Sequence, residues 1–539
     1  WLVSAFSARG NYYRSLMKTL KNGHFRFGEV SDTMTSEAAA RVLGRALESP
    51  EEKTVLGALQ LLESAPGHDW TPQLRQLLQH PAAQVRERAC SLLGRMGKLS
   101  DGPSIQRLLQ DPEPAVRARA VEAYCALGKE RAIRLVSRFL NHPQRELQAA
   151  ALVGLIRFGG LDGVLTAAER LKSLLESSRP EERALGARIL GDIGVRNFFQ
   201  PLVRLMVDDV LEVRLEAIRA AGKMQSPELL PALVYRLGER ACRPQAAEAL
   251  AAYGEKALHI LSRLVENSAE SLPNRLAAVR VLARIGGPAA LQALEKQLAN
   301  PEPRLRSAIL EAVHRLAPRL AGVKLDRQKL DHLLESELRE MVRMMQFQSL
   351  LGSDCGELLK DAITQQILDI KRRCFLLLGC LYPTQTVDLV YGYLSSKERR
   401  LRANALELLD NLLERRHKKL LLPLFDEKPG GEREELLRQL VGAPPNGAPE
   451  VLRRLVEGPD PWLAGCALFE IRRRQQAELF DVVATATACE TPLVRETALL
   501  AAAGLPERER AQRLLLNHLQ DPDSRVRMLA RHLASKIDG

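Results

Sequence analysis

The residue type whose spacing suggests chemistry is arginine. Arg86, Arg117, Arg214, Arg275, Arg306, Arg402, Arg495 and Arg527 share a local setting: a polar turn and, in most copies, an apolar residue just before the arginine and Ala three residues after it. One guanidinium per repeat could line a groove and grip phosphates or other oxyanions. The other reading is a structural ladder, in which each arginine bonds the turn before it or the Asp of a neighbouring repeat. The position recurs whatever the local charge, which favours the ladder.

Denser positive charge sits in three places. Tyr12–Lys21 has the period of a basic amphipathic helix carrying Arg14, Lys18 and Lys21. Arg399 and Arg400, followed by Arg415, Arg416, Lys418 and Lys419, bring residues 395–420 to eight basic side chains against four acidic ones, and Arg472–Arg474 adds a third run. Such clusters suit an anionic membrane surface or an acidic protein partner; the alternative is a solvated helix face. Across the chain Lys and Arg number 78 against 66 Asp and Glu, a net charge of +12, so a grip on nucleic-acid backbone stays open. Aromatics make up only 4 % of residues, and Trp1, Trp70 and Trp462 stand apart from the main basic clusters, which disfavours base stacking.

Catalytic signatures are missing from the sequence. It contains no G-x-x-x-x-G-K-[ST], no H-E-x-x-H and no G-x-S-x-G. The ten histidines are dispersed, with His80 and His142 in turns and His314 and His332 in helical stretches. The eight cysteines include no C-x-x-C pair and read as buried free thiols of a reducing compartment. The expectation is a protein that is not an enzyme and holds no metal or cofactor.

The elements that carry these residues follow from the same spacing. Arg86, Arg117 and Gln148 are 31 residues apart, as are Arg183 and Arg214; Gln245, Arg275 and Arg306 continue at 31, 30 and 31. Within a unit, Ile105, Leu108 and Leu109 form one helical stripe, Asp111 and Pro112 mark a turn, and Val116, Ala120, Val121 and Leu127 form a second stripe ending near Gly128. A helical hairpin of this size cannot bury both faces alone, so its neighbours must stack on it. The fold class is therefore all-α, an α-solenoid of stacked helical hairpins.

The expected organisation is a basic helix at 1–30, a repeat array over 31–325, longer irregular helical pairs at 326–394, one further repeat at 395–425, a loop or linker at 426–449 and closing repeats over 450–539. Asp326–Leu351 reads as one long amphipathic helix, Ile363–Leu381 as a second apolar run, and Pro429-Gly430-Gly431 and Pro444-Pro445-Asn446-Gly447 as the strongest breakers. The apolar stub Trp1–Phe6 ahead of Arg9 reads as the edge of a cut transmembrane helix; the sequence has no membrane-length apolar run.

The recurring D-P-x-x-x-V-R-x-x-A pattern resembles HEAT repeats of the short PBS-lyase-like subtype. Trp1–Phe6, Tyr13-Arg14, Leu16, Leu20, Arg373–Gly379 and Arg402–Asn411 together resemble the HEAT-bearing tail of bacterial ATP/ADP-translocase-like proteins of the major facilitator type. That resemblance implies a non-enzymatic scaffold, the regulatory part of a transporter-like protein at the cytoplasmic face of the inner membrane, with a protein partner. A nucleic-acid-binding HEAT protein or a bilin-lyase-type protein, the latter by analogy of repeat subtype, is the alternative.

Overall fold

A computed structural model describes residues 37–62, 68–320, 322–425 and 439–537. The expected basic helix at 1–30, with Arg14, Lys18 and Lys21, lies outside the described residues, as does most of the expected linker. Among the described residues every regular element is a helix, and the chain forms an all-α solenoid of helical hairpins. It divides into two compact units, Trp1–Ile285 and Gly286–Gly539.

In the first unit the second helix of each hairpin packs on the second helix of the next. The column runs through Ala83–Met96, Pro114–Gly128, Arg145–Phe158, Pro180–Ile193, Leu211–Met224, Arg243–Ala252 and Leu272–Ile285. The first helices are mostly shorter, and several are extended by a turn of 3₁₀ helix; one is Gly102–Arg107 followed by Leu108–Gln110. Proline opens a second helix at Pro114 and at Pro180, where a missing N–H costs nothing. Pro112 therefore lies in the turn, two residues before the helix.

Close approach explains the small residues. Ala89, Ala120, Ala217, Ala278, Ala405, Ala498 and Ala530, each three residues after an arginine, are fully buried. Eight residues after Arg86 and Arg183 stand Gly94 and Gly191. A Cβ on Gly94 would lie 2.7 Å from Ala123 Cβ, and one on Gly191 would lie 2.7 Å from Ala220 Cα. The column is packed tightly enough to exclude even a methyl group at these points.

The second unit has a different plan. Two helices of 25 residues, Arg327–Leu351 and Glu357–Leu381, pack on each other. At about 1.5 Å per residue each is some 37 Å long, enough to offer two docking stations. Helix Glu357–Leu381 contacts Pro303–Leu316 and also Pro461–Arg473, from which a column continues through Pro492–Gly504 to Ser524–Ile537. Residues 384–425 form helices Thr384–Leu394, Arg399–Leu412 and Arg415–Phe425, of which the first packs on Glu357–Leu381. Glu470 fastens the join: its carboxylate accepts from Gly356 N at 3.3 Å, Arg473 Nε at 2.8 Å and Arg474 Nε at 2.6 Å.

Candidate functional site

The turn between the two helices of a hairpin explains why Asp, Asn, Ser and His exchange at its first position. Each supplies one acceptor to the backbone N–H two residues on: Asp111 to Glu113 at 2.9 Å, Asn300 to Glu302 at 3.2 Å, Ser177 to Arg179 at 3.1 Å and His80 Nδ1 to Ala82 at 3.1 Å. His80 and His142 are turn acceptors of this kind, the latter for Gln144 N.

All but one of the ladder arginines reach back to the same turn. Arg86 Nη1 donates to the carbonyls of His80 and Pro81 at 2.9 and 2.8 Å, and Arg214 Nη1 to those of Asp208 and Asp209 at 2.7 and 3.1 Å. The carbonyls six and five residues back also receive Arg117, Arg306, Arg402, Arg495 and Arg527. Arg275 differs, donating from Nε to Val265 O at 3.0 Å.

The other edge of the guanidinium crosses to the next repeat. Arg86 pairs with Asp111 through two bonds of 2.8 and 2.9 Å, Arg183 with Asp208 at 2.7 and 2.9 Å, and Arg495 with Asp521 at 3.0 and 2.8 Å. These are two-pronged, charge-assisted contacts. Where the acid is replaced by His142, Arg117 turns to Gln144 at 2.9 Å. Hydrogen bonds from Arg183 hold the Asp208 carboxyl below its ordinary value, with burial opposing; Arg495 does the same for Asp521. At Asp111 burial acts upward, and the bonds from Arg86 and Glu113 N outweigh it, so the carboxyl is again lowered.

One register expected from the sequence needs correction. Gln245 is not the ladder position of its repeat. Arg243 is, donating to Leu237 O and Gly238 O at 3.0 Å each, with Ala246 fully buried three residues on. The repeat is two residues short, and its alanine was the signal that located the true position.

In the basic cluster of the second unit Arg416 and Lys418 pair with acids, as does the neighbouring Arg327. Arg416 bonds Glu335 and lies 3.7 Å from Asp331, Lys418 lies 3.1 Å from Asp410, and Arg327 pairs with Glu414 at 2.6 Å. His417 is buried against Tyr382 and Asp331. Arg399, Arg400, Arg415 and Lys419 stay exposed. Within Arg472–Arg474, two members clasp Glu470; burial raises that carboxyl, but bonds from Arg473, Arg474 and Gly356 N–H prevail and hold it at about 2.

Two further features emerge only from the fold. Along the second-helix face of the first unit lies a row of hollows of about 450, 430 and 220 Å³. They are lined first by Arg88, Arg95, Arg119 and Arg157 with Glu87 and Glu122, and further along by Glu146, Glu181, Glu212 and Glu216 with Arg145 and Arg188. In the second unit a cleft of about 840 Å³ opens between the Pro303–Leu316 end, helix Arg327–Leu351 and residues 454–463. Among the described residues no group of three or more His, Cys, Asp or Glu is placed to hold a metal ion, and no helix is long and apolar enough to cross a membrane. Cys90, Cys125 and Cys374 are buried free thiols; burial pushes the first two up to about 12.

The family model for HEAT repeats matches residues 167–251 and 238–314, so that stretch carries HEAT repeats. No curated protein matches the chain. Among solved structures it is similar to human deoxyhypusine hydroxylase in complex with glycerol, at 20 % identity over 54 % of this chain and 100 % of that one, TM-score 0.26. It is similar to the CpcE–CpcF complex of phycocyanin lyase from Nostoc sp., at 20 % identity over 47 % and 96 %, TM-score 0.26. Importin beta aligns at 11 % identity over 95 % and 81 %, TM-score 0.29. At such scores these likenesses assign neither activity nor partner.

Proposed function

We propose that the chain is a non-catalytic scaffold that docks a protein along the second-helix face of its first unit. One observation carries this reading: the hollows on that face form a row whose lining changes from arginine-rich to glutamate-rich, while most ladder arginines are spent on turn carbonyls and neighbouring acids. A partner segment with acidic then basic side chains complements that order. A nucleic-acid backbone does not, because Glu146, Glu181, Glu212 and Glu216 would face its phosphates.

The finer reading, that this scaffold is the cytoplasmic regulatory part of a transporter-like membrane protein, rests on the resemblance at Trp1–Phe6, Tyr13–Leu20, Arg373–Gly379 and Arg402–Asn411. Binding of the whole chain to duplex DNA, anionic vesicles and neutral vesicles, compared at two salt concentrations, tests both levels. The scaffold reading predicts no tight DNA binding, and DNA affinity with a steep salt slope contradicts it. Binding to anionic vesicles that disappears when Arg14, Lys18 and Lys21 are neutralised supports the membrane-face reading; its absence removes that reading and leaves the scaffold.

A further inference from the structure

The cleft of the second unit exists because the two 25-residue helices hold two branches of the array apart. Pro301, Pro303 and Arg306 form one wall, Leu455, Pro459 and Leu463 the opposite wall, and helix Arg327–Leu351 the floor, with Met344 and Phe347 facing in. Such a volume is in the range of small-molecule sites.

Its charge is arranged in two layers. At the base, Glu337 is shared by two arginines: Arg306 Nε donates to Oε1 at 2.7 Å, and Arg373 Nε donates to Oε2 at 2.9 Å, with Arg373 Nη2 in ion-pair contact at the same distance. Arg373 is 2 % exposed and Glu337 5 %. Arg373 is thus buried and Arg306, with a fifth of its side chain exposed, opens to the cleft, and the two share one carboxylate; such an excess of positive charge is costly unless an anion completes it. Among the described residues, no hydrogen bond reaches Arg306 Nη2 or Arg373 Nη1. At the rim stand Arg339, Arg343 and Arg454, each about half exposed, with Glu340 and Asp460 as the acids there. The lining holds five arginines and three carboxylates in an otherwise largely apolar surface; at the rim Arg343 pairs with Glu340, while Arg339 and Arg454 reach Glu335 and Glu450 just outside it, so the unmatched guanidinium edges are those at the base.

From this geometry we infer that the cleft binds a small amphipathic oxyanion, a carboxylate or phosphate head carrying a short apolar tail. The head completes the Arg306–Glu337–Arg373 cluster, where guanidinium forks match oxyanion geometry, and the tail lies along Met344, Phe347, Leu455 and Leu463. This inference is independent of the docking face, which belongs to the other unit.

Calorimetric titration of the whole chain with hexyl phosphate, hexanoate, inorganic phosphate and hexanol tests it. Hexyl phosphate or hexanoate should bind at least about tenfold more tightly than either phosphate alone or hexanol, since head and tail each contribute. Because Arg373→Gln could unfold the unit, the exposed rim supplies the variants. Arg343→Glu with Arg454→Glu should weaken the anions by about tenfold and leave hexanol unchanged. Vesicles containing phosphatidate that compete for the site assign the head group to a lipid, and vesicles that do not compete assign it to a free molecule. Equal binding of hexanol and the anions, anion binding untouched by the rim variants, no binding by any probe at millimolar concentration, or binding of an acidic peptide alone each overturns the inference. None of these outcomes bears on protein docking by the first unit.

Discussion

In the turn of each hairpin a single carboxylate has two roles, and the ladder follows from that. Asp208 accepts Val210 N–H to close its own turn and both prongs of Arg183 from the repeat before. Asp208→Ala removes both, leaving Arg183 half-buried without its acid, and should cost about 2 kcal/mol. Faster amide exchange across 180–220, with distant repeats unchanged, is the expected signature. The carboxyls of Asp111, Asp208 and Asp521 are all depressed in the folded chain. Their contribution is therefore fully present above the ordinary aspartate value, about 4, and is lost as the pH falls through the depressed folded values. Melting temperature should fall steeply below about pH 4, and Asp521→Asn should flatten that dependence.

Much of this was legible at the level of residue types, since the D-P-x-x-x-V-R-x-x-A pattern already joined the turn acid to the arginine. Arg243 escaped because its repeat is two residues short, so counting by 31 landed on Gln245. Arg373 and Glu337 escaped because neither sits in a repeated setting, and only the packing of three helices brings them within 3 Å.

Among the elements, the period of the hairpins is a local property and could be read directly. The spacing of the columns is not, because it depends on which small residue meets which neighbour. Gly191→Ala forces a methyl group to 2.7 Å from the Ala220 backbone and should destabilise its repeat by about 2 kcal/mol through overpacking. Gly392, inside helix Thr384–Leu394, faces open space: a methyl group there would meet nothing within 4 Å, so Gly392→Ala should be neutral or stabilising by up to about 1 kcal/mol. Chemical denaturation of the two variants side by side separates packing from helix propensity. The length of Asp326–Leu351 was readable from its stripe. The double docking of Glu357–Leu381 on Pro303–Leu316 and Pro461–Arg473 was not, since contacts between segments a hundred residues apart leave no periodic trace.

For the molecule as a whole, stability is a sum over neighbouring hairpins and function is a matter of which surface the hairpins leave unspent. Arg157 is exposed on the second-helix face in the arginine-rich hollow, so replacing it with Glu should leave the melting temperature within about 1 °C while abolishing partner docking. The docking claim is tested most directly by placing a photo-crosslinking residue at Arg188, on helix Pro180–Ile193, and separately at Glu169, on the first helix Gly160–Leu175. Irradiation of the whole chain in its native cell should yield a discrete protein adduct from position 188 that is lost in the Arg157→Glu background, and none from position 169. Adducts from 169 alone, or equally from both positions, would contradict the assignment of the docking face.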